Sequence, residues 1–331
     1  MFQKLSAFSI AIFSFISCSK SEVPAIQLTD EVYQIETVKE FDKNIFCISF
    51  DSEDKLWTKF VNSSHQIGYF DSEWKLNAVT DPDQLFKTFS LTWFFLQGNE
   101  LFAMGPYQPG KDLFYFKNSK NELKPFANPF FDKNNPFGGA ASFVIRQGKS
   151  QYLVGYNNDV FLMNEDGSSE KKFSEVELDG NQLEANTFAF NGTDRIYYKP
   201  YFSFESLAYL DINVGVTKIK SGILSNFDNS KFNYGDGELP NAGIGNVASL
   251  CVDKENNVYF LEYNRENRGM RVRMLTKDNV LKTLVGGLFE ESIDGKSEEA
   301  GVVYATSIAV NSKGEVYLAE QNRLRKVSVV P

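Results

Sequence analysis

Apolar and polar positions along this chain recur in one register. Leu250-Cys251-Val252-Asp253-Lys254-Glu255-Asn256-Asn257-Val258-Tyr259 aligns without gaps on Ile308-Ala309-Val310-Asn311-Ser312-Lys313-Gly314-Glu315-Val316-Tyr317. Counted from the first apolar residue, offsets 0, 2 and 8 are apolar, offset 9 is aromatic, and the residues between are polar. The same offsets pick out Ile48/Phe50/Leu56/Trp57, Trp93/Phe95/Leu101/Phe102, Phe143/Ile145/Gln151/Tyr152 and Phe188/Phe190/Ile196/Tyr197, with Gln151 breaking one apolar slot. Period-two apolar residues, a tight polar turn and a second apolar run predict a β-hairpin. Offset 3 is Asp51, Asn191, Asp253 or Asn311 in four copies, residues whose side chains bond nearby backbone in turns; Leu96 and Arg146 stand there in the other two.

A second hairpin follows in each complete copy, as in Ile67 to Asp71 with Trp74 to Val79, or Arg271 to Leu275 with Val280 to Val285. Each copy is thus a four-stranded meander. The copies start at 48, 93, 143, 188, 250 and 308. Four-stranded repeats near this period predict an all-β fold, a six-bladed β-propeller with four-stranded antiparallel blades. After Ile308 only three strands fit, and Val32 to Val38 is an apolar-patterned segment with no repeat of its own. Pairing the two ends is expected to complete the last blade and close the ring, which removes an exposed edge. The propeller is expected over residues 31–331.

Ahead of it, Met1-Phe2-Gln3-Lys4 is short and basic, and Leu5 to Ile16 is apolar but too short to span a bilayer comfortably. The run ends in Phe15-Ile16-Ser17-Cys18, which resembles the lipobox of bacterial lipoproteins, departing at Phe15 where Leu is usual. That resemblance implies a signal peptide over 1–17, a lipidated Cys18 at the head of a tether over 18–30, and membrane attachment in the cell envelope, periplasmic or surface-facing. Cys47 and Cys251 lie within strand patterns and read as buried thiols.

Composition adds little against this and excludes some partners. Thirty-one Phe and 15 Tyr favour strands. A net charge of −9 argues against nucleic acid and against electrostatic adhesion to anionic lipid. Gly286-Gly287, Asp294-Gly295, Ala300, Ile308 to Ala319 and Arg323-Leu324-Arg325-Lys326-Val327 resemble an NHL repeat, with a looser copy from Asp236-Gly237 to Arg273. The family usually has Asp where Glu320 stands and often Pro where Thr306 stands. The resemblance implies a propeller that serves either binding or catalysis.

Catalytic signatures are sparse. The single histidine, His65, argues against His-rich metal sites and His-based triads. Some six-bladed relatives hold calcium in the central channel and act as lactonases or lyases; on that implication Asn186, Asp236 and Asn246 are candidate ligands for a calcium-dependent enzyme. The alternative is a binding or scaffold domain. In a meander, first and third turns share one face, which we term the tip face; second turns and the links between repeats share the other, the link face. Link-face connections are long and aromatic here, and place Tyr107, Phe130, Phe137, Tyr201, Phe204, Arg265 and Arg268 as candidate contacts for a protein, peptide or glycan. No cofactor is expected for that function.

Overall fold

Strands such as Leu56–Val61 and Val258–Tyr263 are buried on both faces, and the strands accordingly stack as sheets packed face to face. The computed structural model describes residues 31–331 except 62–66, 80–92, 105–113, 118–121, 126–140, 148–150, 157–158, 165–167, 174–187, 201–206, 220–234, 264–268, 288–290 and 331; the signal peptide, Cys18 and tether expected over 1–30 lie outside the described residues. An N-terminal strand, β1 (Tyr33–Glu40), precedes the first sheet, formed by β2 (Asn44–Phe50), β3 (Leu56–Val61), β4 (Ile67–Phe70) and β5 (Leu76–Ala78). The second holds β6 (Trp93–Gln97), β7 (Glu100–Met104), β8 (Phe114–Lys117) and β9 (Leu123–Pro125). The third holds β10 (Ala141–Gln147), β11 (Gln151–Tyr156), β12 (Asp159–Asn164) and β13 (Ser169–Phe173), and the fourth β14 (Phe188–Phe190), β15 (Arg195–Tyr198), β16 (Leu207–Asp211) and β17 (Gly215–Ile219).

The last two sheets have five strands each, not the four expected. In the fifth, the two-residue β18 (Gly237–Glu238) flanks β22 (Val280–Val285), which continues through β21 (Met270–Leu275) and β20 (Val258–Tyr263) to β19 (Asn246–Val252). In the sixth, β23 (Gly295–Lys296) flanks β1, followed by β26 (Arg323–Val329), β25 (Val316–Glu320) and β24 (Ala305–Val310). The two short strands pair only two residues each and carry no alternation that would announce them. All pairings are antiparallel, and the architecture is an all-β propeller. Among the described residues, no helix is long and apolar enough to cross a membrane.

First strands of neighbouring sheets pack on one another: β2 touches β24 and β6, and β19 touches β24 and β14. Hydrophobic clusters fill the spaces between neighbouring sheets. Leu261, Val272, Leu318 and Val327 pack between sheets five and six, and Val247, Phe260 and Leu207 between four and five. Ile45, Phe60, Ala319 and Leu324 join sheet six to sheet one, so the end of the chain packs on its beginning. Each such side chain contributes about 1.5–3 kcal/mol by leaving water.

β1 pairs with β26 from Tyr33↔Val329 to Glu40↔Arg323, the end-to-end pairing expected from the leftover strands. The Asx turns form as read: the Oδ1 atoms of Asp51, Asn191, Asp253 and Asn311 each accept two or more backbone N–H groups of their own turn.

A position one residue before each repeat escaped the pattern. Ser307 Oγ accepts from Ile48 N–H at 3.2 Å, and Ser249 Oγ accepts from Ile308 N–H at 3.2 Å. Cys47 Sγ donates to the Phe94 carbonyl at 4.0 Å. These side chains stitch neighbouring inner strands where backbone bonding does not reach. The same position holds Thr92, Ser142 and Thr187 in the other copies, so a hydroxyl or thiol stands there six times.

Cys47 and Cys251 are free thiols; Cys47 is buried as expected, whereas Cys251 is half-buried. Burial pushes the Cys47 thiol up to about 12 and raises that of Cys251 as well, and the thiolate is the reactive form. Iodoacetamide at pH 8 is expected to leave Cys47 unmodified in the native protein and to alkylate it in urea. Peptide mass mapping checks this, and native labelling comparable to the denatured sample would contradict the packing described.

Candidate functional site

Two buried arginines organise sheets five and six. Arg325 is wholly inaccessible. Its Nη1 donates to Glu320 Oε2 at 2.6 Å and to the Gly301 carbonyl at 2.7 Å; its Nη2 donates to Asp294 Oδ1 at 2.8 Å and to the Ile293 carbonyl at 2.8 Å. Asp294 in turn accepts from Thr37 N–H at 2.7 Å and Thr37 Oγ1 at 3.1 Å. Arg273 repeats the arrangement in sheet five. It binds Glu262 at 2.8 Å, Asp236 at 2.8 Å and the Gly243 carbonyl at 2.7 Å, and Asp236 accepts from Thr283 N–H and Oγ1. Thr37 lies opposite Arg325 and Thr283 opposite Arg273 in the sheet registers. The N-terminal strand therefore occupies the place of a fourth strand down to its hydrogen bonds.

Burial alone would raise the Asp294 carboxyl, but the Thr37 N–H and Arg325 outweigh it and hold the carboxyl below the usual range. A guanidinium in a dry interior costs several kcal/mol unless its donors are filled. Carboxylates, carbonyls and the Ser292 hydroxyl fill those of Arg325, while Arg273 keeps its Nε without a partner.

These networks fix the segments that open the inner strands. In sheet six, Arg325 holds the Gly301 carbonyl, Met270 N–H donates to the Val302 carbonyl at 2.8 Å, and Glu320 Oε1 accepts Val303 N–H at 2.9 Å. Tyr304 follows directly, left-handed at φ 53° and 55% exposed. A bulky residue in this region is strained, by about 1–2 kcal/mol. It stays there because both neighbours are pinned. In sheet five, Arg273 and Glu262 hold Gly243 and Gly245 in the same way and present Asn246.

Asn246 and Tyr304 both lie four residues before their repeats, as does exposed Asn44. They open β19, β24 and β2, which are neighbours, on the link face. Exposed Thr306 sits beside them and donates to the Ile45 carbonyl at 3.3 Å. The arrangement sets an aromatic ring, amides and a hydroxyl at the starts of three neighbouring strands, and Lys199 Nζ lies 3.1 Å from Asn246 Oδ1.

Of the residues singled out from sequence, only Asp236 and Asn246 fall among those described. Tyr107, Phe130, Phe137, Tyr201, Phe204, Arg265, Arg268, Asn186, His65 and Cys18 lie outside the described residues. Asp236 spends both carboxylate oxygens on Arg273 and Thr283, and Asn246 Oδ1 faces the Lys199 ammonium. Among the described residues no three His, Cys, Asp or Glu side chains gather as a metal site. Tyr304 escaped the sequence pattern, because nothing in a tyrosine's identity signals a left-handed backbone; its repeat position beside Asn246 was the available clue.

Two other features lie away from these strand starts. A cleft of about 200 Å³ opens between sheets four and five on the tip face, lined by Arg195, Tyr197, Tyr209, Glu255, Asn256 and Lys277. Arg195 lies over the Tyr209 ring at 4.9 Å and binds Asp211 at 3.3 Å, so the cleft's guanidinium serves the fold. In sheet one, Lys59 is 4% exposed, opposite Cys47, with its ammonium 4.9 Å over the Phe46 ring. Burial pushes it down to about 8.

Two outcomes are expected. Glu320→Ala leaves Arg325 buried without its closest counter-charge and should cost about 3–5 kcal/mol in urea denaturation; a loss under 1 kcal/mol would show the network to be dispensable. For Lys59, the folded value lies below that of free lysine, so between about pH 8 and 10.5 the unfolded chain binds more protons and stability rises with pH. Lys59→Met should therefore stabilise the protein at pH 7 by about 1–3 kcal/mol, with the gain fading towards pH 10.5. Equal stabilities at pH 7 would contradict the burial penalty.

No protein-family model matches the chain, and no curated protein does. Solved structures are similar in fold. A protein of unknown function from Bacteroides thetaiotaomicron superposes with a TM-score of 0.60 at 14% identity, covering 91% of this chain and 77% of its own. An auxiliary nutrient binding protein from Bacteroides ovatus gives 0.57 at 14% identity, covering 91% and 78%. Virginiamycin B lyase from Staphylococcus aureus, as a catalytically inactive variant with quinupristin, gives 0.50 at 9% identity over 90% of this chain and all of that one. At these identities the shared property is the β-propeller fold.

Proposed function

We propose that this protein is a bacterial envelope lipoprotein, lipidated at Cys18, whose six antiparallel sheets are the blades of one NHL-like propeller. Its link face binds a protein, peptide or glycan. The six repeats, the six sheets and the packing of sheet six on sheet one support the blade count. The shared Asp–Arg–Glu network of Asp236 and Asp294 supports the NHL likeness in the last two blades. The likeness to an auxiliary nutrient binding protein agrees with a ligand-binding, extracytoplasmic role.

The observation that carries the binding reading is Tyr304. An exposed ring held in a strained backbone state by a buried charge network has no packing reason to be there, and such strain concentrates at functional sites. Asn246, Asn44 and Thr306 stand at the starts of the same neighbouring strands. The long connections bearing Tyr107, Phe130, Phe137, Tyr201, Phe204, Arg265 and Arg268 belong to this face in the meander topology, and we assign them as its further contacts.

The test is a binding screen of the purified chain against glycan and peptide libraries, repeated with Tyr304→Ala and with the tip-face control Lys313→Ala. Ligands found with the wild type are expected to bind Tyr304→Ala at least tenfold more weakly and the control unchanged. Equal losses in both variants, or undiminished binding to Tyr304→Ala, would reject the assignment.

A further inference from the structure

The chain enters its first described strand on a definite face. Tyr33 lies opposite Val329, and Val330 N–H donates to the Val32 carbonyl at 2.7 Å. β26 starts directly after Gln321 and Asn322, a second turn and hence on the link face; its far end at Val329, and the start of β1 with it, lie on the tip face. Contacts at both ends of β1 agree. Tyr33 packs against the cluster that includes Cys251 and Val310, each a short step before an Asx turn of the tip face. At the other end, Phe41 and Ile45 donate to the Asn322 and Gln321 carbonyls of the link face. β1 is also the fourth strand from the centre, so the entry point is at the outer rim.

We infer that the anchor at Cys18 holds the tip face toward the membrane and presents the link face, with Tyr304 and Asn246, away from it. The inference rests on the lipoprotein reading of residues 1–30. Twelve residues, 19–30, separate Cys18 from Glu31, and fully extended they reach about 40 Å. Bringing the link face to the bilayer requires them to climb the rim along β1, whose eight residues rise about 25 Å. More than half the reach is consumed in that pose and almost none with the tip face down.

The test uses the full chain, processed and anchored in its own membrane vesicles, in a Cys251→Ala background. Lys313→Cys on the tip face and Lys43→Cys on the link face each carry a fluorophore, and quenching by a spin label attached to lipid headgroups is measured. The Lys313→Cys label is expected to be quenched at least threefold more than the Lys43→Cys label. Equal quenching, or stronger quenching at position 43, overturns the orientation while leaving the anchor in place. A Cys18→Ala chain is compared in parallel. If it partitions into membranes as the wild type does, the lipoprotein reading itself is wrong and the orientation falls with it.

Discussion

The junction between the two ends of the chain depends on one buried guanidinium. Arg325 sits between the carboxylates of Glu320 and Asp294, and through Asp294 it reaches Thr37 at the other end of the chain. The carbonyls of Ile293 and Gly301 take its remaining N–H groups, and Nε adds a second bond to Asp294 at 3.1 Å. Arg273 plays the same part in sheet five with its Nε left without a hydrogen-bond partner. The more fully bonded of the two networks stands where the sheet is assembled from two distant pieces of chain. There, covalent continuity gives no help and directional bonds must supply the register.

Rigidity at that junction is transmitted to the face that carries the site. Residues 301–303 are held by Arg325, Met270 and Glu320, and Tyr304 inherits its conformation from them. A charge network that holds a sheet together thus also aims a side chain at solvent. The hydroxyl and thiol stitches of Ser249, Ser307 and Cys47 keep the inner strands in fixed relation, so the groups at their starts belong to a preorganised frame.

Much of this architecture was legible because its causes are local. Period-two alternation marked the hairpins, and Asp51, Asn191, Asp253 and Asn311 marked their turns because an Asx side chain replaces a backbone partner wherever it occurs. The end-to-end pairing followed from counting strands. What escaped was set by distant neighbours. β18 and β23 are too short to alternate and exist because Asp236 and Asp294 are drawn to arginines far along the chain. Tyr304 owes its backbone to Glu320 and Arg325. Lys59 carries the look of a solvated strand residue and is buried because its sheet packs on both faces. The aromatic connections stood out by composition alone, which says nothing of their geometry.

Contribution of the fourth strand of the last sheet by the start of the chain has a temporal consequence. Thr37 and Asp294 are 257 residues apart, and contacts that distant form late and slowly. As the chain is made, β1 must wait unpaired until β26 exists, and β26 offers a bare edge until β1 arrives, a state prone to joining other chains. Each molecule therefore passes through a state with this sheet unfinished, whose lifetime is governed by the search of β1 for β26.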